Sequence, residues 1–360
     1  MDSRTEVLHN PISLAGIAVD SQGPDSAQSV TPPFKGNEIT ALVKDLHKQD
    51  GRPGWVRILG YGSLSFSLCI IALAQENLLL FVLVGIVLGF IYSSFMILTH
   101  DAIHHTLTGN KIIDEIVPRL MSWPMLWPHG TYSALHKLHH SLNGRDEADP
   151  ERCHMTTEEY SKASPLKRLV ARHQLLFRVI GAGGIGMIVN LLKQTQRIGK
   201  RSNAVRKQLL VDAVGILVVN GAMYAVASYY GVALQLFLLW FILERAVGGV
   251  QQFRAHLEHY GLWNYYPSFI ESQLYNTRNF VTNPFTSFFF NGLNYHSVHH
   301  AFPSIPFYHL REAHTRIRDY CTQKNVPLKE EPGYARVALS IIRKPTFVEP
   351  MNRMPNSQKA

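Results

Sequence analysis

Four short stretches of this chain concentrate histidine. They are His100-Asp101-Ala102-Ile103-His104-His105, His136-Lys137-Leu138-His139-His140, His256-Leu257-Glu258-His259 and His296-Ser297-Val298-His299-His300. Together they hold eleven of the eighteen histidines. On an α-helix, residues four apart differ by about 40° in direction and residues three apart by about 60°. An HxxxH or HxxHH run therefore presents its imidazoles on one face. Two or three nitrogens from one rigid element can then converge on a cation, as ligand bonds of ~2.0–2.1 Å require. The candidate ligands are His100, His104, His136, His139, His140, His259, His296, His299 and His300, with His105 and His256 as further candidates. Eight or nine imidazoles exceed the needs of one four-coordinate zinc and point to two metals. Imidazole alone leaves zinc, copper, iron and nickel open. Soluble di-iron bundles use carboxylates and paired ExxH motifs. Only Glu6–His9 and Glu151–His154 match ExxH, both in polar segments, so that scaffold is not expected.

The elements that position these histidines are apolar and long. One pair runs from about Ile58 to Ala74 and from about Leu78 to Leu98, linked by Gln75-Glu76-Asn77. The other runs from Leu209 to about Tyr229 and from Val232 to about Val250. Each has ~17–21 residues, enough to cross a ~30 Å hydrocarbon core. The expected fold is an all-α integral membrane protein with four transmembrane helices in two hairpins. A cytoplasmic helical cap would carry the histidine groups. Neither short link carries Lys or Arg, whereas Lys193, Arg197, Lys200, Arg201, Arg206 and Lys207 precede the third span. Such asymmetry puts both termini and all four histidine groups on the cytoplasmic side.

Leu175 to Leu192 is also largely apolar, with one charge at Arg178. It reads as an interfacial or re-entrant helix, because a full crossing there would put the later histidines on the opposite face. Glu244 and Arg245 fall in the last part of the fourth span and are expected near its cytoplasmic end, facing the bundle. Trp123, Pro124, Trp127 and Pro128 read as an interfacial segment. Asn37 to Lys48 has the spacing of an amphipathic helix on the membrane surface. Residues 1–35 read as a disordered tail, 36–343 as the membrane domain with its cap, and 344–360 as a flexible tail.

Composition narrows the function classes. Charged residues make up 17% of the chain, against about 25% in soluble domains. Lys and Arg outnumber Asp and Glu by 35 to 26. These basic residues surround apolar segments without a recognition motif, which fits a membrane face and excludes nucleic acid as the partner. Cys69, Cys153 and Cys321 are too few and too scattered for a disulfide framework or a cysteine zinc site. The N-terminus lacks a basic start followed by an apolar run, so no secretory signal peptide is expected.

The pattern His100-Asp101-x-x-His104, His136-x-x-His139-His140 and His296-x-x-His299-His300 resembles the membrane fatty acid desaturase/hydroxylase superfamily. Asn294-Tyr295-His296-Ser297-Val298-His299-His300-Ala301-Phe302-Pro303 is similar to that family's third histidine box. The resemblance covers residues from about 55 to 320. It implies two non-heme irons held by the box histidines and by His259 after the fourth span. It also implies O2-dependent oxidation that introduces a double bond into a lipid-linked or thioester-linked fatty acyl chain. Asp101, Asp149 and Asn294 are the residues expected to orient or brace the ligating imidazoles. The HPGG signature of a fused cytochrome b5 domain is absent. Electrons would come from a separate protein such as ferredoxin or cytochrome b5, drawn to a basic cytoplasmic face. The implied substrate is a membrane lipid or an acyl carrier.

Other readings use similar ligands. A carotenoid hydroxylase or ketolase, or another lipid hydroxylase, shares the histidine boxes. A zinc-dependent membrane hydrolase would turn over without O2. A metal transporter would place its site near the bilayer midplane, whereas these histidines lie beyond the span ends.

Overall fold

The computed structural model describes residues 36–200 and 202–351; the tail expected over 1–35 lies outside the described residues. α1 (Gly36–Leu42) leads through a short 3-10 turn to α2 (Gly51–Leu73) and α3 (Leu78–Ile103). Ile39, Val43 and Leu46 are buried in the same core cluster as Leu310, Ala313 and Ile317. The amphipathic stripe expected to lie on the membrane is therefore covered by protein, because a complementary apolar helix is at hand. Asn77 caps α3 by accepting from the Leu80 amide at 3.1 Å. α3 continues beyond the apolar span, which keeps His100 on a rigid helix.

α4 (Lys111–Ser122) follows, and the chain then turns inward. The segment expected at the interface is tied to the surrounding helices. The Tyr92 hydroxyl donates to the Met121 carbonyl at 2.6 Å. Asn220 Nδ2 donates to the Trp123 carbonyl at 2.7 Å, and Trp240 Nε1 to the Pro124 carbonyl at 3.2 Å. α5 (His129–Leu142) then returns to the histidine site, followed by α6 (Thr157–Lys162) and α7 (Pro165–Arg172).

Five described stretches are long and apolar enough to cross a membrane, one more than the four expected. The additional one is Gln174–Gly199. It is broken: α8 (Gln174–Leu176), a π-helical turn over Phe177–Ala182, and α9 (Gly183–Gly199). Gly183 takes a φ of +53°, a left-handed value that favours glycine. α10 (Asn203–Tyr229) and α11 (Ala233–His259) follow, and α11 repairs this break. Arg245 donates to the carbonyls of Gly181 and Ala182, each at 3.0 Å, and is ion-paired with Glu244. Glu244 accepts from the Ile185 amide at 2.6 Å, and Gln252 Nε2 donates to the Gly183 carbonyl at 2.6 Å. Irregular backbone at membrane depth is tolerated only where protein satisfies its polar groups. Glu244 and Arg245 on α11 do that here. Across the most hydropathic window of α10 only 6% of residues are buried in protein, so its outer face needs an apolar surrounding.

The remaining described chain runs through α12 (Phe269–Tyr275), α13 (Pro284–Phe289), α14 (His296–Ala301), α15 (Leu310–Gln323) and α16 (Tyr334–Arg343). Two-residue strands β1 (Asn279–Phe280) and β2 (Glu330–Glu331) pair in parallel and are the only strands among the described residues. The segment expected to be flexible from residue 344 is docked as far as Met351. Val348 exchanges backbone hydrogen bonds with Met155 and Thr157 and packs on Trp263.

α9 and α11 meet backbone to backbone: a Cβ on Gly248 would lie 1.8 Å from the Gly184 nitrogen. On α10, a Cβ at Gly221 meets nothing within 4 Å. Gly248→Ala should therefore lower the thermal midpoint in detergent by several degrees, since overpacking costs about 1–3 kcal/mol. Gly221→Ala should hold or raise it. Equal midpoints for the two variants would show that the close crossing of α9 and α11 is not needed.

Candidate metal centre

Four separated elements deliver the histidines to one place. His100 sits on the last turn of α3, with His104 just past its end. α5 carries His136, His139 and His140, the last turn of α11 carries His259, and α14 carries His296, His299 and His300. One donor atom each from His100, His104, His136, His140 and His299 lies within 4.8 Å of the others. His139, His259 and His300 form a second such group. His296 joins the second, its Nε2 lying 2.9 Å from His259 Nε2 and 3.1 Å from His300 Nε2. The groups adjoin where His140 stacks on His300, ring centroids 4.2 Å apart.

This packing is costly unless something else binds. His104 is half-buried and His259 is 9% exposed; the other seven are no more than 6% exposed. Among their nitrogens, both of His100, both of His299, Nε2 of His104 and Nε2 of His139 have no protein partner. A buried polar atom without a partner costs about 1–3 kcal/mol. Ligand bonds of ~2.1 Å put neighbouring donor nitrogens roughly 3–3.5 Å apart, and the Nε2 atoms of His136 and His140 are 3.0 Å apart. The residues thus fit a pair of transition metals. Burial, reinforced by neighbouring imidazoles, holds His140, His296 and His300 well below the ordinary histidine pKa, in the neutral form that can ligate. Burial also pulls His139 down, but Asp149 and Glu151 outweigh it and carry it up to about 9, so a metal binding there would displace a proton from Nε2.

Several imidazoles are aimed through their second nitrogen. Nδ1 of His139 is 2.8 Å from Asp149, Nδ1 of His136 is 2.8 Å from Glu151, and Nδ1 of His300 is 3.0 Å from Gln273 Oε1. With a proton on Nδ1, each leaves Nε2 as the donor facing inward. α5, which bears His136, His139 and His140, is itself fixed from outside. Pro128 precedes α5 and offers no side-chain cap. Asp212, fully buried on α10, accepts instead from the amides of Gly130 (3.2 Å) and Thr131 (2.7 Å) and from the Thr131 hydroxyl (2.8 Å). A carboxylate is favoured at a helix N-terminus, where amides are unsatisfied and the dipole is positive.

The family model described as fatty acid desaturase matches residues 77–332, more than half of the chain and all four histidine groups. The chain belongs to the fatty acid desaturase family. It is 23% identical over 304 residues to an omega-3 fatty acid desaturase of the endoplasmic reticulum from Nicotiana tabacum, covering 79% of this chain and 77% of that protein. It is 24% identical over 267 residues to a Delta(8)-fatty-acid desaturase from Euglena gracilis, covering 68% of this chain and 62% of that protein, less than two thirds of its length. It is 24% identical over 340 residues to an acyl-lipid omega-3 desaturase (cytochrome b5) of the endoplasmic reticulum from Arabidopsis thaliana, covering 87% and 82%.

The other residues that the sequence of this desaturase-family chain singled out are placed differently. His105 has a left-handed φ of +57° and stands outside both groups. His256 stacks on Tyr260 and belongs to neither group. Asp149 touches a box histidine, but the other two residues expected to orient the boxes make no such contact. Asp101 is buried with both oxygens unpartnered. Asn294 donates to the Phe280 carbonyl at 2.8 Å, bracing the approach to α14. Sequence reasoning passed over Glu151 by pairing it with His154; it meets His136 instead, fifteen residues upstream. Nothing in the sequence marked Gln273, because only the packing of α12 on α14 brings it to His300.

Removing an orienting partner lowers metal affinity about 10–100-fold. Asp149→Ala and Gln273→Ala should each reduce metal content after purification at limiting metal. Asp146→Ala should not, because that carboxylate lies in the same loop but accepts from the Ala148 amide at 2.7 Å. Metal analysis of the three variants checks this.

Proposed function

We propose that this chain is an O2-dependent, di-iron membrane desaturase that introduces a double bond into a fatty acyl chain, lipid-linked or thioester-linked. The carrying observation is the convergence of nine histidines, several with unpaired buried nitrogens, at the edge of an apolar cleft whose wall includes His100. His100, His104, His136, His140 and His299 would hold one iron; His139, His259, His296 and His300 would hold the other. When bound, the irons supply the reduction of O2 and the C–H oxidation that it drives. The chain's own residues do the placing. Asp149, Glu151 and Gln273 keep imidazole donors turned inward, and the cleft holds the acyl chain away from water. Removal of two hydrogens from adjacent carbons, with two electrons and two protons from outside, leaves an alkene and two waters.

The topology that suits this reading has four crossings, α2, α3, α10 and α11, with Gln174–Gly199 re-entrant. His139 and His259 have ring centroids 4.8 Å apart, so the chain between them crosses an even number of times. α10 and α11 account for two crossings, and a third would separate these histidines across the bilayer. The basic run before α10 favours a cytoplasmic site and termini. The functional unit is then residues 36–343 with the docked stretch to Met351. A separate electron donor, ferredoxin or cytochrome b5, fits the excess of basic residues, and cytochrome b5 appears in the name of the Arabidopsis relative. The names of the relatives favour desaturation over carotenoid oxygenation.

Anaerobic purification should yield about two irons per chain. With a reducing system, O2 and an acyl lipid, the product should carry a new double bond. Two zincs with turnover independent of O2, or unchanged acyl chains beside newly oxygenated carotenoid, would sink the proposal.

A further inference from the structure

The apolar cleft beside His100 is lined mainly by three helices and one loop. Its walls come from α3, α9 and α11, with Met96, Met187 and Val247 among the lining residues. Arg254 and His100 mark the end at the histidine site. Met125 and Trp127, from the loop between α4 and α5, also line it. The depth of that loop is set by Trp240, whose indole nitrogen donates to the Pro124 carbonyl. Trp240 precedes Arg254 by fourteen residues on one helix, about 21 Å at 1.5 Å per residue. Met125, next in the chain, is 7% exposed and packs in one cluster with Leu239, Leu243, Val247 and Met96.

This loop is held, not draped. Besides the bond from Trp240, Asn220 on α10 donates to the Trp123 carbonyl, and the Trp123 indole donates to Asp212 at 3.2 Å. Leu126 adopts a left-handed φ of +56°, which bends the chain back toward α5. Side chains from α10 and α11 thus hold the loop in place inside the bundle.

We infer that the loop from Trp123 to Pro128 forms the floor of the acyl cleft, and that Met125 determines how much of the acyl chain extends beyond the metal centre. The inference rests on the desaturase reading above and adds a specificity-determining residue to it. The occupant is a fatty acyl chain: the cleft is largely apolar and runs on directly from the histidine that would hold the metal. Methionine suits such a floor because its side chain fills an irregular end without a polar demand. One methylene in an apolar pocket changes discrimination by roughly 10–200-fold. Met125→Ala should therefore raise the ratio of longer-chain to shorter-chain turnover by about tenfold or more, and Met125→Phe should lower it.

The test has two arms on the full-length protein in detergent or nanodiscs. An acyl lipid with a diazirine at its terminal carbon is photolysed on the wild type, and the labelled peptide is identified. Acyl lipids of graded length are then compared in wild type, Met125→Ala and Met125→Phe, with iron content measured for each. Labelling on residues 123–127 and opposite shifts in the two variants support the inference. If one variant fails to fold, the wild-type label and the other variant decide. A wild type that labels there but forms no double bond supports the cleft while refuting the desaturase reading. A wild type that desaturates but labels elsewhere, or folded, iron-loaded variants with unchanged length ratios, overturns the inference.

Discussion

Imidazole nitrogens facing one another in a space with little water are the constraint on which the rest of this structure depends. Neutral imidazoles do not attract each other enough to repay the loss of water from both ring nitrogens. Such a cluster persists where helices force it, and a pair of metals would complete it. The protein accordingly uses rigid elements for every donor: the ends of two long helices, α3 and α11, and two shorter ones, α5 and α14. The carboxylates of Asp149 and Glu151 and the amide of Gln273 then turn individual rings.

The membrane imposes a second constraint on the same bundle. Backbone groups packed among apolar helices cannot turn to water, yet the chain breaks a helix at Gly183 and inserts a loop at Trp123. Both irregularities are satisfied by side chains of neighbouring helices. Glu244, Arg245 and Gln252 serve the broken helix. Asp212, Asn220 and Trp240 serve the loop. The polar residues within α10 and α11 are therefore architectural. Asp212 serves twice, because the amides that it caps begin the helix bearing His136, His139 and His140. The inserted loop and the second histidine group are anchored through one carboxylate.

Much of this was legible in the chain. Hydrophobic runs of the right length marked the long helices α2, α3, α10 and α11, since span-length apolarity is a local property of composition. HxxxH and HxxHH spacings gave the ligand-rich faces, since helical periodicity is local too. The amphipathic stripe of Ile39, Val43 and Leu46 was also legible, but what covers it was not. An apolar face is equally content on lipid or protein, and only the presence of α15 decides.

The residues from Gln174 to Gly199 show the same limit. Their composition permits a span, and a break is visible only when α11 is seen to satisfy the freed carbonyls. Pairings such as Glu151 with His136 and Gln273 with His300 likewise depend on which elements meet. Sequence alone determined that this chain is apolar enough for a membrane and carries histidine faces able to bind metal, because both follow from residue type and spacing. Tertiary structure alone decided which histidines share a group, which polar residues aim them, and which segments line the cleft. Those depend on distances between segments far apart in the chain, and no local pattern encodes them.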